Sequence, residues 1–166
     1  AERAPERIAQ LVYLDAFVPE DGQSLVDLLW PERRQAFEEL VRTEGQGWLM
    51  PRFSSLPAEQ ILREGWGVTS DADVNWMLPR LRPTPYRHFT DRVARANPAA
   101  QSISRTYIRC RQFQQRSGGA FDRHADMAQA TSGWRYREMA TPHLPYVTHP
   151  NELASILIEL AGQPAR

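Results

Sequence analysis

The order of strand-like and helix-like segments restricts the folds open to this chain more than any other feature of its sequence. Three segments, residues 10–18, 104–110 and 134–139, are rich in the branched and aromatic residues typical of strands. The last two alternate polar with apolar or aromatic residues, which predicts that each presents one face to a core. Helical spacing of apolar residues occurs at 121–131 and 151–161. The predicted order is a strand, a long excursion, and then strand, helix, strand and helix. This order is typical of an α/β protein with a parallel sheet.

Length and composition narrow the class further. The 166 residues are 42% hydrophobic, which is enough for one compact domain with a core. Twenty basic residues, all arginine, balance twenty acidic ones, so we expect neither nucleic acid nor an anionic membrane as a partner. We find no apolar run near the ~18 residues of a membrane span and no signal peptide, and Cys110 has no second cysteine to pair with. We therefore expect a soluble, cytoplasmic protein.

The long excursion, residues 20–100, holds most of the tryptophans and two helix-like pieces, at 32–43 and 57–65. Sheets of this class bind ligands outside the carboxyl ends of their strands, so an aromatic-rich insertion there is typical of a cap over a binding crevice. The alternative is a helical subdomain whose tryptophans fill a small core of its own. Both interpretations stay open at this stage.

Asp15 lies at the end of the first apolar segment, in the stretch "LVYLDAFVPEDG". A carboxylate at the end of a buried strand is unfavourable unless a nearby group needs its charge. It is therefore either a residue that caps its own turn or the partner of a functional side chain.

Four histidines are the candidate acid-base groups near neutral pH. His143 lies in the loop "TPHLPYVTHP", after a strand and before the final helix, which predicts a position at the carboxyl edge of the sheet. His149 lies close to the helix start, where we expect a capping or first-turn role. We expect His124 to be solvated on a helix face, whereas His88 fits a pocket or the surface equally well.

Three stretches carry a resemblance to a known family: "RIAQLVYLDAFVPEDGQSL", "RTYIRC" and "GWRYREMATPHLPYVTHPNELASILIELA". Together they resemble the second half of an α/β-hydrolase of the esterase and hydroxynitrile-lyase-like group. The resemblance implies a partial α/β-hydrolase: parallel strands with a mainly helical cap insertion. Residues 1–19 and 101–166 would form the C-terminal part of the hydrolase core, and residues 20–100 the cap, or lid. By position, His143 corresponds to the catalytic histidine of the family.

The acid of the implied triad has two candidate positions. Many members place it in the loop after the penultimate strand, but that loop offers Gln112 and Phe113 here, and no carboxylate before Asp122. The haloalkane-dehalogenase-like branch places it at the end of the strand before the cap, where this chain has Asp15. We predict Asp15 as the acid that orients His143 in a catalytic triad, with Asp122 as the alternative.

The nucleophile of the family has no counterpart in this sequence. The serine is presented on a G-x-S-x-G elbow ahead of the acid and the histidine, and the "SGG" at 117–119 comes in the wrong order. The opening residues resemble the end of the helix that follows the elbow. We therefore expect an upstream N-terminal half, in the same protein or as a second chain, and no activity from this chain alone. Pro142 and Leu144 replace residues usual in the family, which predicts an altered histidine loop.

From this resemblance and these residues we predict a serine hydrolase of esterase, thioesterase or lactonase type, acting on a small or medium apolar acyl substrate. No cofactor and no metal are implied. A cofactor-free lyase or cyclase on the same scaffold, and a non-catalytic binding protein, are the alternatives. A homodimer is an open alternative for the assembly. The aromatic residues that we expect to shape the substrate pocket are Phe17, Trp30, Trp48, Trp66 and Trp76.

Overall fold

A computed structural model of the chain describes residues 1–51, 57–112 and 119–162. Its helices and main strands follow the predicted order. The strands are β1 (Gln10–Leu14), β2 (Leu49–Met50), β3 (Thr84–Pro85), β4 (Ser104–Cys110) and β5 (Trp134–Met139). The α-helices are α1 (Pro31–Thr43), α2 (Ala58–Gln60), α3 (Asp71–Met77), α4 (Arg87–Thr90), α5 (Pro98–Gln101), α6 (Ala120–Ala130), α7 (Pro145–Thr148) and α8 (Pro150–Ala161). A π-helical turn, Ile61–Gly65, follows α2, and 3-10 turns occur at Pro5–Arg7, Leu25–Leu28 and Leu78–Arg80.

The central feature is a parallel three-stranded sheet in the order β1, β4, β5, which confirms the predicted fold class. β4 is the middle strand, and its side chains pack on both faces of the sheet. Tyr107 packs with alanines of α6, whereas the next residue, Ile108, packs with Met139 and two leucines of α8. Because successive side chains point to opposite faces, α6 and α8 cover opposite sides. The prediction that 104–110 presents only one face to a core is therefore wrong.

Residues 20–100, which we call the intervening segment, have a small core of their own. It is formed by Leu62, Val68, Val74 and Met77, and Leu144 from the histidine loop completes it. This segment also contains the antiparallel pair β2 and β3. The expected helices at 32–43 and 57–65 occur, although the second continues as the π-helical turn.

The first and last elements of the described chain differ in how they agree with the predicted helices. The opening residues, predicted to be the end of a helix, form only the 3-10 turn at Pro5–Arg7. The final helix begins at Pro150, in the first helical position, where the missing proline N–H is not needed. Within the described ranges, each helix is too short or too polar to cross a lipid bilayer.

Cys110 gives a direct test of the packing around the end of β4. It is fully buried, and that burial, with the nearby Asp15 carboxylate, raises the pKa of its thiol to about 11. An exposed thiol has a pKa of 9.0, so the folded protein has much less thiolate near neutral pH than the unfolded chain. We expect labelling by a thiol reagent to be slow in the folded chain and fast in urea. Equal rates in both states would contradict the buried position.

Candidate active site

Asp15 ends β1 with a backbone turn that directs its side chain to the end of β4. Its φ of 43° lies in the left-handed region, which aspartate tolerates better than most residues. Its N–H donates to the Ile108 carbonyl at 2.7 Å, and the Tyr107 hydroxyl donates to the Ala16 carbonyl at 2.9 Å. These two contacts fix the chain on both sides of the turn, and the Asp15 side chain is fully buried.

The Asp15 carboxylate forms a hydrogen bond with His143, 128 residues further along the chain. Asp15 Oδ2 and His143 Nδ1 are 2.8 Å apart. The Cys110 N–H donates to the other carboxylate oxygen, Oδ1, at 3.2 Å. A carboxylate can only accept hydrogen bonds, so Nδ1 is the ring nitrogen that donates, and in a neutral ring with its proton there Nε2 would be the base. The His143 side chain is 21% exposed, so its ring is within reach of solvent.

Arg109 is a third member of this cluster that the sequence analysis did not single out. Its side chain is 3% exposed and its Nη1 lies 2.6 Å from Asp15 Oδ1. On its other side it pairs with Asp122, which is half-exposed, at 2.8 Å. Asp122, the alternative acid, thus contacts Arg109, whereas Asp15 contacts His143. The signal available in the sequence was an arginine inside the strand segment "YIRC", the same kind of anomaly that drew attention to Asp15.

Aromatic rings surround His143. The Phe121 ring is stacked on it with centroids 5.2 Å apart and planes at 16°, and the Trp66 ring lies 6.4 Å away at 57°. Phe17 packs edge-on against Phe121 at 4.9 Å. Two of the predicted pocket aromatics, Phe17 and Trp66, are therefore in the ring cluster around the histidine.

The other predicted pocket aromatics lie elsewhere. In the described part of the chain, Trp30, Trp48 and Trp76 make no ring contact with this cluster. Trp30 immediately precedes α1, Trp48 is 56% exposed, and Trp76 is 52% exposed with the Arg80 guanidinium 4.4 Å above its ring. The expectation that they shape a pocket beside His143 has no support from these positions.

The remaining histidines have other surroundings. His124 is half-buried against the Phe17 ring, and burial, followed by the Arg123 charge, lowers its pKa, so the prediction of a solvated residue is wrong. His88 is exposed on α4. His149 occupies the residue before α8, as predicted, but its ring contacts the Thr148 hydroxyl at 2.9 Å instead of capping the helix.

The loop that carries His143 is packed against the intervening segment on both sides of the histidine. Pro142, which replaces a glycine usual in the resembled family, is buried and faces Gly67. Leu144 is buried in the core of the intervening segment. The two departures noted in the sequence therefore both contact that segment.

Gly67 gives a test of this contact. Its φ is +75°, and a Cβ there would lie 2.8 Å from the Pro142 Cβ. Gly47 is a matched control, because its φ is +79° and a Cβ there would meet nothing within 4 Å. We expect Gly47→Ala to lose about 1 kcal/mol of unfolding free energy from backbone strain alone, and Gly67→Ala to lose at least ~1 kcal/mol more. Equal losses in urea denaturation would show that the Pro142 contact is not tight.

Comparisons with known proteins bear on the fold. No family model matches the sequence, and no curated protein matches it. An extracellular α/β-hydrolase from a Paenibacillus species has a similar structure, with a TM-score of 0.75 and 22% identity, over 95% of this chain and 64% of that one. A pyrethroid hydrolase from Sphingobium faniae matches with a TM-score of 0.69 and 20% identity, over 99% of this chain and 65% of that one. A methylesterase from Arabidopsis matches with a TM-score of 0.60 and 19% identity, over 96% of this chain and 63% of that one.

The shares of each chain that are covered show how much of the α/β-hydrolase fold residues 1–166 contain. The chain spans just under two thirds of the length of each of these three structures. Its sheet of parallel strands flanked by α6 and α8 corresponds to part of theirs. The chain therefore has the fold of a partial α/β-hydrolase.

Proposed function

We propose that this chain supplies the acid and the histidine of a serine hydrolase that cleaves small or medium apolar esters, thioesters or lactones. The single observation that carries the proposal is the 2.8 Å hydrogen bond between the buried Asp15 carboxylate and His143 Nδ1. A histidine held in this way presents Nε2 as a base, which is the arrangement that activates a serine hydroxyl.

The proposed mechanism assigns one step to each group. His143 Nε2 takes the proton of the serine hydroxyl as the serine oxygen attacks the acyl carbon, and then gives it to the departing alcohol or thiol. A water molecule, activated by the same nitrogen, releases the acid and regenerates the serine. Asp15 holds the Nδ1–H tautomer and stabilises the imidazolium that forms in each half of the reaction.

The serine in this proposal comes from outside residues 1–166. The sequence has no G-x-S-x-G, and the chain spans only 64% of the Paenibacillus hydrolase structure. We propose that a segment upstream, or a second chain, provides the nucleophile and the oxyanion-hole donors.

The substrate class rests on the surroundings of His143. Phe121, Trp66 and Phe17 give that side of the site an apolar, aromatic character. Apolar walls favour an uncharged acyl or alkyl group over an acid or an ammonium. Two of the similar structures are named as a pyrethroid hydrolase and a methylesterase, which agrees with ester cleavage.

Ester turnover tests the proposal. The chain is combined with its upstream segment, as one protein or as two chains, and assayed on p-nitrophenyl esters of increasing acyl length. We expect His143→Ala to reduce kcat by at least about 10³-fold, because the serine loses its base. His88→Ala, which changes an exposed histidine, is the matched control and should leave turnover unchanged. Undiminished turnover in His143→Ala, or no turnover in the intact combination, would remove the proposal.

A further inference from the structure

Arg109 is a buried cation that the proposed mechanism does not use. It lies near the end of β4, the middle strand of the sheet, and its side chain is 3% exposed. An arginine is rarely buried without partners, since its charge is always present and costly to remove from water. It contacts Asp15, which in turn contacts His143.

The guanidinium is fixed at both ends. Nη1 donates to Asp15 Oδ1 at 2.6 Å and to the Cys110 carbonyl at 2.6 Å. Nε donates to Asp122 Oδ1 at 2.9 Å, and Nη2 lies 2.8 Å from the same oxygen. The planar group is thus held between β1, its own strand and α6, with little freedom to turn away from Asp15.

This arrangement determines which oxygen of Asp15 faces the histidine. Oδ1 receives two donors, the Arg109 guanidinium and the Cys110 N–H. Oδ2 is then the oxygen directed at His143 Nδ1. Arg109 therefore orients the carboxylate that in turn orients the ring.

Arg109 also changes the charge that His143 experiences. A buried carboxylate whose nearest cation is a histidine favours the imidazolium, in which both ring nitrogens carry protons and neither is a base. Asp15 contacts His143 directly, Arg109 contacts Asp15, and Asp122 contacts Arg109, whereas the rings of Phe121 and Trp66 carry no charge. Asp122 is half-exposed, so solvent weakens its opposing effect.

We propose that Arg109 is a positioning residue that keeps the Nε2 of His143 free to accept a proton. It does so by compensating the charge of Asp15 and by fixing the direction of its carboxylate. The inference rests on the proposed function, in which His143 is the base, and it adds a residue outside the acid, the histidine and the serine. Arg109 acts through Asp15 and touches no reacting atom.

Ring-nitrogen NMR of the chain labelled with ¹⁵N histidine tests this without any turnover. In the wild type we expect the His143 ring to carry a proton on Nδ1, facing Asp15. In Arg109→Met we expect a larger fraction of the imidazolium, with protons on both nitrogens, than in the wild type at the same pH. Arg109→Lys keeps the charge and should return that fraction to the wild-type level. A ring in Arg109→Met that is as neutral as in the wild type would overturn the inference.

A second variant keeps the test decisive if Arg109→Met does not fold. Asp122→Asn removes the half-exposed carboxylate, so the Arg109 charge acts more fully on Asp15. We expect the low-field resonance of the His143 Nδ1 proton to move upfield, because Asp15 becomes a weaker acceptor. No movement would contradict the inference. Because neither measurement needs a nucleophile, either result separates the role of Arg109 from the presence of ester hydrolysis.

Discussion

Replacing Asp15 with asparagine is expected to reduce kcat for ester hydrolysis by about 10⁴-fold, the loss typical of a triad that holds the wrong histidine tautomer. Oδ1 of Asp15 faces two donors, from Arg109 and Cys110. An asparagine at position 15 will direct its carbonyl oxygen at these donors and its NH₂ group at His143. The Nδ1 atom must then accept, so the ring proton moves to Nε2 and the base is lost.

The backbone should tolerate this substitution, because asparagine adopts positive φ as readily as aspartate. The matched control is Asp122→Asn, which changes the other carboxylate of the same cluster and keeps the Asp15 carboxylate as the acceptor at His143. We expect kcat in the control to stay within about tenfold of the wild type. If Asp15→Asn lost no more activity than Asp122→Asn, Asp15 would not be the acid.

Removing the Asp15 carboxylate is also expected to lower the free energy of unfolding by about 4 kcal/mol in Asp15→Ala. Breaking a buried ion pair costs about 3 to 5 kcal/mol, and here it removes the buried carboxylate from Arg109 and leaves the half-exposed Asp122 carboxylate at its other end. Part of the Asp15→Ala loss, about 1 kcal/mol, comes from placing alanine at positive φ. Glycine adopts positive φ freely, so Asp15→Gly should avoid this backbone contribution. We expect it to lose most of the remaining unfolding free energy, because it also lacks the carboxylate.

Asp122, which pairs with the other side of the Arg109 guanidinium, is the control position for the stability measurement. Asp122 is half-exposed, and pairs of that kind contribute about 0 to 1 kcal/mol. Urea denaturation of Asp15→Ala, Asp15→Gly and Asp122→Ala compares the two ends directly. Similar losses at both positions would mean that solvent reaches Asp15 and that the buried network described here is wrong.

Much of the fold could be predicted from the sequence because its signals are local. The strands at 104–110 and 134–139 and the helices at 121–131 and 151–161 have strong periodicity. The proximity of Asp15 and His143 could also be predicted, although they are 128 residues apart, because parallel strands end at one edge of a sheet.

The rest depends on neighbours that no local pattern specifies. The burial of Arg109 follows from the central place of β4, which is a property of the strand order and not of the segment "YIRC". His124 is half-buried because Phe17, more than 100 residues earlier, packs against it. The aromatic content of the intervening segment predicted pocket residues there. It did not predict that Trp66 would contact His143 while Trp48 and Trp76 would be exposed.

We propose that Asp15 holds His143 with its proton on Nδ1 and its Nε2 free. The most direct measurement is the ring tautomer of His143, read from its ¹⁵N shifts in the wild-type chain and in Asp15→Asn. We expect the Nδ1–H form in the wild type and the Nε2–H form in Asp15→Asn. An Nε2–H ring in the wild type, or the same tautomer in both proteins, would contradict it.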